Sequence, residues 1–262
     1  MEAYTTGKQT AQQLAQQYGC SRKTILRQLK KAGVQNDYAA PSVVNVVMDT
    51  TYFGRSFGIM VLYDSISKKP LYVEEVKYET NMLYQQAICR LQQKGLKIQS
   101  IVCDGRKGLV QLFDDIPVQL CQFHQVKTVN TYLTRRPKIE AAQALRQLAL
   151  ELKNSSRISF QAALATWFEH HGTFMNERTI NVETGKSFYT HKRLRSAYFS
   201  LKRNLPHLFV FEDFAALGIN TTTNLLDGRF ADLKLKLRCH QGMKKENKIR
   251  FIKDYFSRLA GE

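Results

Sequence analysis

Acidic side chains are scarce in this chain. Asp and Glu total 22 against 39 Lys and Arg, a formal net charge of +17 over 262 residues. Such a deficit disfavours polycationic partners and favours a polyanion, nucleic acid first among them. The basic residues run along most of the chain and are not gathered in a tail. Cysteine is also sparse. Cys20, Cys89, Cys103, Cys121 and Cys239 are odd in number and scattered, with no Cys-x-x-Cys pair. That excludes a disulfide framework and fits a reducing compartment. No stretch approaches the roughly 18 uninterrupted apolar residues of a membrane span. The first residues, Met1 to Lys8, hold no apolar signal core. A cytoplasmic chain with no membrane partner is therefore expected. Internal repeats and low-complexity tracts are absent too. What remains is 44% hydrophobic, enough for one large domain with a small appendage.

The appendage lies first. Thr10 can cap a helix with Ala11, Leu14 and Ala15 on its apolar side, and Gly19 breaks it. Ser21 then caps a second helix with Ile25, Leu26 and Leu29 inward. Arg22, Lys23, Arg27, Lys30 and Lys31 decorate its outside. Two short helices joined by a glycine turn, the second basic, form a helix-turn-helix pattern, and Arg22, Lys23 and Arg27 are its expected DNA contacts.

A linker over Asn36–Ser42 leads to strand-like runs at Val43–Met48, Phe57–Tyr63, Leu71–Val76 and Ile98–Cys103. Gly54 and the Ser65–Pro70 stretch mark turns between the first three. Asn81–Gln93 reads as an amphipathic helix and Val118–Cys121 as a fifth strand. Three antiparallel strands, a helix and two more strands give the order of an RNase H-like α/β domain. From Val126 the pattern becomes helical and polar, which predicts an all-helical insertion. After Thr221 a long helix buries Leu226, Phe230, Leu233 and Leu237, and Lys244–Leu259 makes a last amphipathic helix. The expected organisation is thus α/β: an RNase H-like mixed sheet with an all-helical insertion, preceded by a small helix-turn-helix. Its parts are 1–36, the helix-turn-helix; 37–125, the first part of the catalytic domain; 126–220, the insertion; and 221–262, the closing helices.

Three acids stand where structure alone gives little reason for them. Asp49 closes the first strand run, Asp104 closes the fourth, and Asp227 sits on the late helix. An RNase H-like site places its acids in this order. Hard divalent ions take oxygen ligands, so these three are the expected metal ligands and catalytic residues, with Mg²⁺ (or Mn²⁺) as the ion. Glu212, Asp213 and Asp232 compete for the third place. Asp232 lies about 140° round the helix from Asp227, whereas Asp227 shares a face with Lys234 and Arg238, two candidate phosphate-binding cations. Cys121-Gln122-Phe123-His124 follows the fifth strand. It lacks a second pair for a zinc site, so Cys121 and His124 are expected to support the active site, with His240 beside them. Trp167, the single tryptophan, has Leu164 and Phe168 at helical spacing. That predicts core packing rather than stacking on a base.

At these residues the chain resembles the DDE-type transposases of bacterial insertion sequences, in the Mutator-like group. The resemblance rests on Met48-Asp49-Thr50-Thr51-Tyr52-Phe53-Gly54, Cys103-Asp104-Gly105-Arg106-Lys107-Gly108 and Cys121-Gln122-Phe123-His124. It also rests on Tyr189 to Ala197, on Thr222 to Gly228, and on Leu235 to Gly242. It implies binding to the element's terminal repeats and target DNA as a homodimer or higher oligomer, with metal-dependent strand cleavage and strand transfer near the nucleoid. Two departures stand out. Relatives carry Glu at the position of Asp227, whose carboxylate reaches about 1.5 Å less far, one carbon–carbon bond. Relatives also begin with a Cys-rich zinc ribbon, so a shorter subtype or a truncated frame is implied. Position 227 separates an active enzyme from a decayed or domesticated DNA-binding relative. A related nuclease such as a junction resolvase is disfavoured by the insertion and the helix-turn-helix.

Overall fold

The structure is a computed structural model that describes residues 1–32, 38 and 41–261. Most of the expected linker over Asn36–Ser42, and the end of the 1–36 region, fall outside the described residues. In chain order the elements are α1 (Glu2–Thr5), α2 (Ala11–Gln17), α3 (Arg22–Lys31), β1 (Val43–Phe53), β2 (Phe57–Asp64), β3 (Pro70–Val76), α4 (Asn81–Gln93), β4 (Lys97–Cys103) and β5 (Val118–Leu120). Then come α5 (Gln122–Leu133), α6 (Glu140–Leu150), α7 (Arg157–Met175), β6 (Arg178–Ile180), β7 (Ser187–Tyr189), α8 (Lys192–Leu208), α9 (Val210–Asp213), α10 (Asn224–Arg238) and α11 (Lys245–Gly261). Five strands make one mixed sheet in the order β3-β2-β1-β4-β5. The first three are antiparallel and β4 pairs parallel with β5. This is the RNase H-like order expected above. The chain divides into two compact units, residues 1–99 with 224–262, and residues 100–223.

In the first unit the β1–β2 hairpin turns at Gly54, whose φ of +66° suits glycine. Pairing runs from Val46↔Asp64 to Phe53↔Phe57. β1 therefore does not stop at Met48. Thr50, Thr51, Tyr52 and Phe53 are β-branched or aromatic, and they carry the strand on against β2. Asp49 thus lies inside the strand, opposite Val61. All eight residues of β2 are buried, as a strand covered on both faces requires. Helix α4 buries Tyr84, Ala87, Ile88 and Leu91 at helical spacing. Its Tyr84 hydroxyl bonds Thr50 Oγ1 at 2.9 Å and donates to Glu79 at 2.7 Å.

The early helices belong to the same unit. Thr10 forms a capping box with Gln13, and Ser21 accepts from the Thr24 amide. Gly19 between them has φ +59°. Ile25, Leu26 and Leu29 are only half-buried. What secures α3 is Arg250 of α11, whose guanidinium donates to the carbonyls of Leu29 and Lys30 at the helix C-terminus. Helix α1 has no signal in the local pattern. Its Tyr4 packs against His240 and Phe251, with ring centroids 4.1 and 5.8 Å away.

Asp232 has a structural occupation in this unit. It accepts from Tyr255 Oη at 2.9 Å and pairs with Lys236 one turn along. Partial burial raises its carboxyl, but these partners outweigh that and hold it below the usual carboxylate value. A depressed carboxyl contributes stability above its unfolded value near pH 4, lost as pH falls through the folded value. Asp232→Ala is expected to lower stability by about 1 kcal/mol, since the group is partly exposed. Thermal melts should show that loss at neutral pH and not at pH 2.

The second unit is mainly helical. Three buried amides on β5 and α5 pin α8. Gln119 and Gln122 each donate to the Leu208 carbonyl at 2.9 Å, and Gln125 donates to Ser200 at 3.1 Å. Trp167 is core, as expected: its ring stacks on Tyr198 and its Nε1 donates to the Ala141 carbonyl at 3.1 Å. Glu212 and Asp213 are tied to Arg157, whose amide donates to Glu212 and whose guanidinium pairs with Asp213. The block also holds a feature not expected from its helical periodicity, the β6–β7 hairpin. Asn181 builds its turn by accepting from the amides of Glu183 and Thr184, and Gly185 supplies a φ of +65°.

Candidate active site

The structure brings two of the expected acids together within the first unit. Asp49 is fixed by its strand and by Oδ1 accepting the Thr50 amide at 2.7 Å. Asp227 stands in the first turn of α10, where the helix dipole favours a carboxylate. One oxygen of each comes within 4.8 Å of the other, and both residues are half-buried. Two negative charges about 5 Å apart repel by roughly 3 kcal/mol at an effective dielectric of 20. Asp227 Oδ2 is moreover buried with no hydrogen-bond partner among the described residues. A buried, unsatisfied carboxylate oxygen is costly. A divalent cation answers both problems, as an oxygen-seeking ligand acceptor between two carboxylates. The donor chemistry of the pair therefore fits the expected ion.

The helix register behind this follows from spacing. Leu226, Phe230, Leu233 and Leu237 form the buried stripe of α10. Asp227 and Lys234, seven residues apart, share the adjoining face. Lys234 is half-buried, with Nζ 5.9 Å from the Phe53 ring centroid, while Arg238 is exposed.

Asp104, Cys121 and His124 lie in the second unit. Asp104 follows β4 and accepts the Arg106 amide at 3.2 Å through Oδ1. Gly105 behind it leaves close quarters, since a Cβ there would lie 3.4 Å from Asn204 Nδ2. Cys121 caps α5, accepting from the His124 amide, and receives the Thr223 amide at 3.3 Å and hydroxyl at 3.5 Å. Thr223 Oγ1 also lies 3.3 Å from His124 Nδ1. Burial pushes the Cys121 thiol up, but the hydrogen bonds from His124 and Thr223 outweigh it and bring the thiol below its ordinary value. Sequence reasoning misses Thr223. Only its position, just ahead of the Asp227 helix, hints at it.

His240 is placed otherwise than expected. It is buried between Tyr4 and Phe251, and its Nε2 donates to the Tyr4 carbonyl at 2.9 Å. Burial lowers its basicity, opposed by that carbonyl. A neutral imidazole anchoring α1 is a packing residue rather than an active-site support. Arg22, Lys23 and Arg27 are exposed. With Lys244 and the Gln241–Gly242 turn they line a basic groove of about 930 Å³.

No protein-family model matches the chain, and no curated protein matches it. Among solved structures it is similar to the Drosophila P element transposase strand transfer complex, with 12% identity and a TM-score of 0.41 over 91% of this chain and 85% of that one. It is also similar to the simian T-cell lymphotropic virus intasome in complex with PP2A regulatory subunit B56 gamma, with 12% identity and a TM-score of 0.26 over 70% and 68%. At such values the fold assignment rests on the strand order described above. Among the described residues, no helix is long and apolar enough to cross a membrane.

Proposed function

We propose that this chain is a DDE-type transposase of the Mutator-like, insertion-sequence kind, which cuts DNA at its element's ends and joins the freed 3′ ends to target DNA. The observation that carries the reading is the Asp49–Asp227 pair, two carboxylates within 4.8 Å with a buried oxygen of Asp227 left unsatisfied. Asp49 and Asp227 would hold Mg²⁺ or Mn²⁺, with Asp104 proposed as the remaining ligand. When bound, such ions stabilise the attacking and leaving oxygens of a phosphodiester exchange. The chain's own residues do the rest. Lys234 and Arg238, on the face of Asp227, hold backbone phosphates. His124, oriented by Thr223, positions the scissile strand beside Asp104. Water attacks first and the freed 3′ oxygen second. No covalent bond to the protein is needed. Dimers or larger assemblies on DNA would pair the two element ends.

The test is a duplex carrying the sequences that flank this gene. Strand cleavage leaving a 3′ hydroxyl is expected with Mg²⁺ or Mn²⁺ and not with EDTA. Binding without any metal-dependent cut would leave a DNA-binding protein only. End recognition falls to α3. Arg22→Gln with Arg27→Gln is expected to weaken binding to these ends and to flatten the salt dependence by about 0.9 for each phosphate no longer neutralised. Substitution is a cleaner test than removing residues 1–36, because α1 is packed against His240 and Phe251. Unchanged end preference in competition would remove α3 from recognition.

A further inference from the structure

The second unit carries a cleft that the reading above does not use. It measures about 360 Å³ and is lined by Tyr132 of α5, Tyr189 of β7, and Lys192, Arg195, Phe199 and Arg203 of α8. The four α8 residues fall at spacings of 3, 4 and 4, one exposed stripe of a helix. Leu194, Ala197, Tyr198 and Leu201 bury the opposite side.

Cations of this stripe lie against aromatic rings. The Arg195 guanidinium lies 3.7 Å from the Tyr189 ring centroid and 4.9 Å from that of Phe199. Arg178 lies 4.4 Å from Tyr189, and Lys192 lies 4.5 Å from Phe188. Arg195 is further steadied by Asn176, to which its guanidinium donates. Glu177 is paired with His191 at 3.0 Å. Lys192, Arg195 and Arg203 form no ion pair among the described residues. Phe188 and Phe199 remain 36% and 38% exposed. Thus the cleft leaves three cations unneutralised beside the partly exposed ring of Phe199.

Cations alone would suit the backbone of any duplex. Exposed rings between them suit something else, because a base offers a π face only when it is unpaired. The cleft volume lies at the low end of sites that enclose a small ligand, roughly 300–1,000 Å³. The geometry points to this cleft as a binding site for single-stranded DNA, with a base stacked on Phe199 or Tyr132 and flanking phosphates on Lys192 and Arg203. The choice of DNA rests on the proposed function; the preference for an unpaired strand rests on the cleft. Cuts at offset positions on the two strands would leave such unpaired ends, and the cleft gives one a place to go.

The experiment is fluorescence anisotropy in EDTA, with a labelled oligothymidylate of about 12 nucleotides and a blunt duplex of equal length. Phe199→Ala is expected to weaken oligothymidylate binding about tenfold, the loss of one stacked base, and to leave duplex binding unchanged. Lys192→Gln with Arg203→Gln, both exposed and safe for folding, should lower the single-strand salt slope by about 0.7 for each phosphate released. Three results overturn the proposal: no oligothymidylate binding by the wild type, no change in either variant, or an equal loss on duplex, which marks a plain backbone patch. Because no metal is present, the outcome is independent of cleavage. A chain that binds through the cleft but never cuts sinks the catalytic reading alone. One that cuts but ignores the oligomer sinks only the cleft.

Discussion

Asp227→Asn is expected to abolish metal-dependent strand cleavage, by at least about a thousandfold, while leaving the fold as stable as before or more so. The first part follows from the charge a metal ligand supplies, several kcal/mol in the transition state at 1.36 kcal/mol per tenfold. The second follows from the geometry. Asp227 faces Asp49 within 4.8 Å and leaves Oδ2 buried and unsatisfied. An amide in its place removes one of the two repelling charges and brings a donor to the remaining carboxylate. Without metal the variant should therefore melt at or above the wild-type temperature. With Mn²⁺ the wild type should gain stability, about 2.7 kcal/mol at a hundred times its dissociation constant, and the variant should gain little. A residue of merely structural importance would show the opposite pattern, a lowered melt in both conditions. Asp227→Glu should keep or raise cleavage, since the longer side chain restores the reach that the resemblance implies. If the wild type is inert and Asp227→Glu cuts, the protein is a decayed transposase.

Asp49→Asn should be as damaging to cleavage, again about a thousandfold, and harmless to the strand. Asn retains an oxygen to accept the Thr50 amide, the bond Asp49 makes at 2.7 Å. The pairing of β1 with β2 is made by backbone and does not depend on the side chain. Asp104→Asn is expected to match it, with the Arg106 amide still satisfied. DNA binding in EDTA should survive in both. Near-wild-type cutting by either variant would strike that aspartate from the site.

Much of this is legible in the sequence because it depends on local periodicity. The α10 stripe of Leu226, Phe230, Leu233 and Leu237 can be read from spacing, and it sets the face of Asp227. Thr10 and Ser21 announce their helices by capping chemistry. The element order up to β5 follows from apolar runs between turns. What cannot be read depends on partners distant in sequence. Tyr4 and His240 are separated by most of the chain, so neither α1 nor the packing role of His240 has a local signal. Helix register alone puts Asp232 off the face of Asp227, but its bond to Tyr255 needs α11 in position. Thr223 meets Cys121 across the whole second unit. The length of β1 escapes for a different reason. Asp49 reads as the end of a hydrophobic run, yet Thr50 and Thr51 continue a strand well, and β2 has residues to pair with them.

The measurement that bears most directly on the catalytic reading is calorimetric titration of Mn²⁺ into wild-type protein, Asp49→Asn and Asp227→Asn, each shown to be folded. One or two ions are expected to bind the wild type, with binding abolished or weakened at least about tenfold in each variant, as the loss of a charged ligand oxygen requires. Equal Mn²⁺ binding by all three proteins would contradict the assignment of these carboxylates as a metal site, and with it the proposed chemistry.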